Sequence, residues 1–307
     1  MEDLLMANAV PIAEIDLSLF GIEGYKLFIK REDLLHPFVS GNKFRKLKYN
    51  LIAAKEQRYK VLLTFGGAFS NHIAAVAAAG KELGFETIGV IRGAELKEEI
   101  SENATLSFAK SCGMQLYFIS REDYRGKDKA EFITNLKNQF GDFYLLPEGG
   151  TNALAVKGCE EILDENGFSA NYICVPVGTG GTMAGLVKGS NENQNVLGFS
   201  ALKGTFQTSE IAKYTSKTNF EITDSYCFGG YGKIDRDLVR FINEFKEKTD
   251  IPLDPIYTGK MMYGIMDLLK NGYFKENSRI FAIHTGGLQG IAGMNQKLKK
   301  KKLPIIE

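Results

Sequence analysis

Lys43 stands in the stretch Ser40-Gly41-Asn42-Lys43-Phe44-Arg45-Lys46-Leu47, after an extended run at residues 25–30 and a loop holding His36-Pro37. Phe44, Leu47, Leu51 and Ile52 then recur at helical spacing, which puts Lys43 in the first turn of a helix. Unpaired backbone N–H groups and the macrodipole already make that end positive, so an ammonium there releases its proton more readily. A less protonated lysine is the nucleophile that carbonyl chemistry needs for Schiff-base formation. Read alone, Lys43 with Arg45, Lys46 and Lys48 also fits a solvated basic face. Lys46 falls three residues on, on the same side of the helix.

Other stretches could receive an anion. Gly178, Thr179, Gly180, Gly181 and Thr182 have the composition of a phosphate cradle, since glycine lets the backbone approach closely and the threonines add hydroxyl donors. The same residues would also make a plain tight turn. They lack the lysine of a Walker loop and the full spacing of a dinucleotide fingerprint. Ser70-Asn71-His72, after Gly66-Gly67, lies where a helix should begin. Ser70 or Asn71 would cap it, and its free N–H groups would suit a carboxylate. His72 is one of three histidines and by itself reads as an ordinary polar residue. Gly230-Tyr231-Gly232 and Asp254-Pro255-Ile256-Tyr257-Thr258-Gly259-Lys260 each carry a tyrosine. A neighbouring cation that lowered its pKa would let such a hydroxyl relay a proton. Packing at a turn with the hydroxyl hydrogen-bonded is the alternative for Tyr231.

Those residues need a frame. Short β-rich runs at 61–65, 87–91, 115–119, 143–146, 172–177, 196–200 and 279–284 alternate with helical patterns at 71–83, 103–112, 129–140, 153–163, 234–248 and 260–270. Such alternation predicts parallel sheet flanked by helices, an α/β fold. Ligands of these sheets bind beyond the carboxyl ends of the strands. Gly66-Gly67, the loop at 178–182 and Thr285-Gly286-Gly287 each follow a predicted strand, and that shared placement says more than any one of them. Residues 201–225 show no clear period.

A chain of 307 residues exceeds what one core usually serves, so two lobes or one large unit are expected. Apolar residues make up 44% without a run of membrane-spanning length, which predicts a globular protein with no membrane partner. Glu2 and Asp3 at the start do not resemble a secretory leader. Cys112, Cys159, Cys174 and Cys227 lie far apart, which argues against a metal site or disulfide framework and fits a reducing cytoplasm. Net charge is +1 and the basic block sits at residues 297–302, expected to be a frayed, solvated terminus. No nucleic-acid partner is expected.

In sequence order, S-G-N-K-x-R-K-L, G-G-A-x-S-N-H, G-T-G-G-T and H-T-G-G resemble the pyridoxal-phosphate enzymes of the 1-aminocyclopropane-1-carboxylate deaminase and D-cysteine desulfhydrase family, over residues 29–290. The resemblance implies a two-lobed fold like the tryptophan synthase β-subunit (fold type II), each lobe a parallel sheet flanked by helices. Residues 48–155 would form a smaller lobe inserted into a larger one made of 1–47 and 156–307. It implies pyridoxal 5'-phosphate as cofactor, held by Lys43, with its phosphate on the loop at 178–182 and on Lys46. Ser70 and Asn71, with His72, would surround the substrate carboxylate and the cofactor's phenolic oxygen; Tyr231 and Tyr257 would stand near the substrate. A homodimer acting on a small amino acid is the implied assembly.

Cyclopropane deaminases of that family carry a glutamate after the second tyrosine and a leucine in the late glycine motif, where this chain has Thr258 and Thr285. This is the pattern of the D-cysteine desulfhydrase branch. A neutral hydroxyl does not keep the pyridine nitrogen protonated as a carboxylate does, which favours β-elimination over ring opening. The expected activity is release of ammonia and a 2-oxo acid, with cyclopropane opening or a non-catalytic cofactor-binding role as alternatives. A dinucleotide oxidoreductase would need an acidic ribose-binding residue after a proper fingerprint, and none is found.

Overall fold

The computed structural model describes residues 10–39, 41–164 and 169–307; Glu2, Asp3 and Ser40 lie outside the described residues. In chain order the strands are β1 (Ile12–Ile15), β2 (Lys26–Lys30), β3 (Val61–Gly67), β4 (Glu86–Arg92), β5 (Gln115–Ile119), β6 (Tyr144–Leu146), β7 (Tyr172–Val177), β8 (Asn195–Ser200), β9 (Phe220–Thr223) and β10 (Arg279–Ile283). The helices are α1 (Asn42–Glu56), α2 (Asn71–Leu83), α3 (Ala104–Ser111), α4 (Arg121–Arg125), α5 (Ala130–Phe140), α6 (Ala153–Asp164), α7 (Gly181–Gly189), α8 (Gln207–Ala212), α9 (Arg236–Thr249), α10 (Thr258–Lys270) and α11 (Gly290–Lys300). Every strand and helix expected from the periodicity is present, with ends that agree to within two residues.

Two sheets form. One, in the order β5-β4-β3-β6, is wholly parallel and draws on residues between 61 and 146. The other runs β1-β2-β10-β7-β8-β9 and is parallel except at its edge, where β1 pairs antiparallel with β2. Helices cover both faces of each sheet, which is why Leu62, Leu63, Thr64 and Phe65 of β3, and Ile173, Cys174 and Val175 of β7, are buried in succession rather than alternately. In the smaller lobe, α1, α2 and α3 share one cluster through Phe44, Leu47, Leu51, Val76 and Leu106. Helix α1 therefore packs into that lobe from Phe44 onward, and Gly158 of α6 lies against its Arg45 carbonyl. Every residue of α2 from 72 to 80 is buried, as suits a helix that is apolar nearly all round. In the larger lobe α9, α10 and α11 cover one face, and α6 and α7 the other.

The basic stretch at 297–302 is not a frayed end. It begins on α11, whose Met294 and Leu298 are buried, and Ile306 beyond it is 3% exposed and held by both ends of the Asn295 carboxamide. Ile291, Met294 and Leu298 recur at helical spacing beneath the lysines, whose long stems cover apolar surface: Lys297 Nζ sits 4.6 Å from the centroid of the Phe69 ring.

Strand pairing also opens the crevice that concerns function. Strand β10 pairs with β7 only as far as Ala282 opposite Cys174, whereas β7 continues to Val177 against β8. The two strands part beyond Cys174, and Pro176, with no N–H to give, is tolerated where that ladder has ended. The loops after β7 and β10 then flank a crevice at the carboxyl edge of the sheet. Helix α1 is pressed against one of them. Gly41 has φ 61, a Cβ there would lie 2.0 Å from the Thr285 carbonyl oxygen, and Asn42 N–H donates to that oxygen at 3.3 Å.

Candidate active site

Lys43 lines this crevice with Val177, Gly178, Tyr257 and Thr285. Its amine is lowered from 10.5 to about 7, first by burial and second by repulsion from Lys46, with Cys159 opposing. The direction is the one argued from the helix terminus, but withdrawal from water is the leading cause.

Opposite the lysine, the loop at 178–182 wraps the start of α7. Gly178 lies against Tyr257, where a Cβ would come within 3.2 Å of the ring, and Gly180 has φ 89. Gly178, Thr179, Gly180 and Thr182 line the crevice, while Gly181 opens α7 against Thr151. Lys46, 2% exposed, donates to Gly149 O at 3.0 Å and to the hydroxyls of Thr151 at 2.9 Å and Thr179 at 3.4 Å. Burial brings its amine down to about 8. Asn42 Nδ2 donates to Thr182 Oγ1 at 2.8 Å. One cation, two threonine hydroxyls and the free N–H groups of a helix start thus converge at one end of the crevice, which is a dianion's requirement.

The start of α2 closes another side. Asn71 lines the crevice, and its carboxamide has no hydrogen-bond partner among the described residues; Gly287, with φ 97, lets Asn71 Nδ2 approach where a Cβ would be 2.8 Å away. Ser70 is the N-cap of α2, its Oγ accepting from Ile73 N–H at 3.3 Å, and it does not line the crevice. His72 departs further from a substrate contact. Its ring is turned into the interior against Gly150, 1% exposed, with both nitrogens unpartnered among the described residues. Burial, then Lys43 and Lys46, hold its pKa well below 6.5, so it is neutral at pH 7.

Tyr257 lines the crevice; Tyr231 does not, and stands at its rim with 46% of its surface exposed. The rings meet at 6.2 Å and 65°. The expectation of a lowered tyrosine pKa is corrected. Burial pushes Tyr257 well above 10, the Tyr231 hydroxyl and Asp254 add to it, and Tyr231 is raised as well. Both hydroxyls are proton donors at neutral pH.

Thr258 does not face the crevice, because its hydroxyl is engaged in capping α10. It donates to Asp254 Oδ1 at 2.8 Å and accepts from Asp254 N–H at 2.8 Å, and the Thr258 N–H reaches the same Oδ1 at 2.7 Å. Asp254 Oδ2 accepts from Ile256 and Tyr257. Thr285, 7% exposed, does line the crevice with Gly286. Sequence reasoning missed Asn42, Gly149, Thr151 and Gln207, whose Nε2 ties Gly178 O to Ser200 Oγ at 3.3 and 3.0 Å. Glu148-Gly149-Gly150-Thr151 was visible in principle, since it follows strand β6 and precedes α6, the junction type that marked the other motifs. Gln207 left no trace in a stretch without periodicity.

An amine of lowered basicity facing an anion cradle, at the carboxyl edge of a parallel sheet between two lobes, defines an enzyme that works through a phosphate-bearing carbonyl cofactor. The chain belongs to the pyridoxal-phosphate-dependent enzyme family, whose profile matches residues 15–286. The cofactor is pyridoxal phosphate, and the crevice fits it in charge and in glycine-lined space. A putative 1-aminocyclopropane-1-carboxylate deaminase of Pyrococcus furiosus is 32% identical over 90% of this chain and 88% of its own. The bifunctional D-cysteine desulfhydrase/1-aminocyclopropane-1-carboxylate deaminase of Arabidopsis thaliana is 29% identical over 87% and 74%. A solved structure described as an ACC deaminase homologue superposes with a TM-score of 0.82 at 30% identity, covering 96% of this chain and 94% of its own.

Proposed function

We propose that the protein is a lyase that eliminates a β-substituent from a small amino acid, with D-cysteine and water giving pyruvate, sulfide and ammonia. The relatives' names supply two substrate candidates, D-cysteine and the cyclopropane amino acid. The observation that carries the choice is that no carboxylate lines the crevice among the described residues. Asp254, on the same segment as Tyr257, has both oxygens committed to the start of α10. Thr285 is the polar side chain left to meet a pyridine nitrogen, and a hydroxyl does not enforce protonation. Opening a ring that has no α-hydrogen asks for the stronger electron sink, so β-elimination suits this site better.

Bound there, the cofactor supplies a conjugated ring that takes up the electron pair left when a bond to an amino acid's α-carbon breaks. Lys43 Nζ holds the cofactor and, once free, accepts the α-proton. Lys46, Thr179, Thr182 and the backbone N–H groups opening α7 hold the phosphate. Asn71 and the N–H groups opening α2 receive the substrate carboxylate, with Ser70 fixing that helix end and His72 neutral behind it. Tyr257, kept protonated by burial, gives its proton to the departing sulfur, and the Tyr231 ring packs against it from the rim.

A panel of D- and L-amino acids with the cyclopropane amino acid, scored for 2-oxo acid release, tests this reading. D-Cysteine should lead; faster turnover of the cyclopropane substrate refutes the argument from the missing carboxylate. Borohydride trapping should place the cofactor's mass on Lys43, and Lys43→Ala should end turnover. The same reading takes residues 48–155 as the inserted lobe, a homodimer as the solution state, to be checked by light scattering, and the cytoplasm as the location. Among the described residues no helix is long and apolar enough to cross a membrane.

A further inference from the structure

Lys260 is a buried ammonium that the chemistry above does not use. It lies in the first turn of α10, three residues after Tyr257, and is 2% exposed. Its Nζ donates to two carbonyl oxygens, Cys227 O at 2.8 Å and Gly230 O at 2.9 Å. Burying a cation with carbonyls as its hydrogen-bond acceptors is unfavourable, and a methionine of similar length would fill the space without that cost. The segment it holds has little structure of its own. Phe228, Gly229, Gly230 and Gly232 have φ of 51, 87, 114 and 66; the local bonds are Cys227 N–H to Asp224 O, Gly230 N–H to Cys227 O and Lys233 N–H to Gly230 O, and Phe228 sets its ring against Tyr263 of α10. Lys260 takes the same two carbonyls and so clamps both turns at once. Tyr231 is the next residue, more exposed than Tyr257 and lying against its ring.

We propose that Lys260 is a positioning residue: it latches the loop at 227–232 to α10 and thereby holds Tyr231 against Tyr257, so that the two hydroxyls act as one unit beside the substrate. This rests on the reading of Tyr257 as proton donor. Lys260 itself touches neither cavity nor substrate. It acts through the backbone of the loop.

Hydrogen exchange and a double-mutant cycle test the latch. In Lys260→Met, the peptide spanning 226–235 should exchange at least tenfold faster, with peptides from β7 and β8 unchanged; the milder Lys260→Gln, which keeps a donor on a shorter stem, should fall between. Unchanged exchange in both variants overturns the proposal whatever the substrate. On an amino acid that the wild type turns over, Lys260→Met should lower kcat tenfold or more while the visible absorbance of the bound cofactor persists. In a Tyr231→Phe background the same change should cost less than twofold. Losses that simply multiply in the double variant overturn the proposal, since a scaffold residue would act independently of the tyrosine. Failure of the parent reading looks different: Tyr257→Phe would keep full kcat, and the exchange measurement would still decide the latch.

Discussion

Lys43 should capture the cofactor at a pH where an ordinary lysine hardly reacts. With its amine at about 7 rather than 10.5, half of it is free base at pH 7. An unperturbed lysine would offer roughly 0.03% there, about a thousandfold less. The capture rate by apoprotein should therefore rise about tenfold between pH 6 and 8 and then level off, whereas an ordinary lysine would gain about a hundredfold over that span and keep rising. Stopped-flow absorbance with stripped protein and limiting pyridoxal phosphate reads this. Pyridoxal serves as a second probe, because a phosphate ester itself titrates near pH ~6. Lys46→Met removes the second cause of the depression, so the midpoint should move up even as the affinity falls. A rate that climbs without inflection to pH 9 or 10 refutes the desolvation of Lys43 in the crevice, and a midpoint indifferent to Lys46 refutes the coupling between the two amines.

The same shift has a stability consequence. The folded pKa of Lys43 lies below the unfolded one, so the unfolded chain binds more protons between about 7 and 10.5. The cost is fully present below about 7 and is relieved as pH rises through that window, by at most about 1.4 kcal/mol per unit. Calorimetry of the apoprotein should show Tm rising from pH 7 to 9, less steeply in Lys43→Met. Thr258→Ala should cost about 1–2 kcal/mol in urea titrations through the two buried hydrogen bonds its hydroxyl makes with Asp254, and leave the ratio of D-cysteine to cyclopropane turnover unchanged. Thr285→Glu, on the crevice wall, should shift that ratio toward the cyclopropane substrate. Gly41→Ala puts a methyl group into the Thr285 carbonyl, so cofactor affinity measured by absorbance titration should fall at least tenfold; an unaffected affinity would mean that α1 does not need that contact.

Much of this was legible because three of the motifs sit where strand periodicity gives way to helical periodicity, a boundary that sequence marks well. The alternation of apolar runs and amphipathic stretches located both sheets, and the glycines at 178–182 and 286–287 announced loops that must pass close to something. Thr258 was misjudged because its position in a motif says nothing about rotamer. The Asp254 carboxylate four residues earlier takes its hydroxyl into a cap, a competition that only coordinates reveal. The raised tyrosine pKa values were not legible for a related reason: a motif shows which cations could stand near a tyrosine, but desolvation is a property of the packed lobes. The basic tail looked solvated because five lysines hide the Met294 and Leu298 positions beneath them.

The charges of the crevice are arranged so that its two lysines cannot be treated separately. Lys46 is buried and Lys43 partly so, the starts of α2 and α7 add positive ends, and no carboxylate faces them among the described residues. Left to themselves, these groups can lower their repulsion by losing a proton, and Lys43 is the one lowered further. An anion held by Lys46 and the start of α7 would cancel part of the field that Lys43 feels, and its amine would then bind a proton more strongly. The order of events follows from that sign. In the proposed reaction the cofactor would fill the cradle as it brings its carbonyl to Lys43, and the same amine, once free, would then be the stronger proton acceptor. One side chain would thereby serve capture and proton removal in turn, its basicity raised by the phosphate end of the cofactor, remote from the bonds that break.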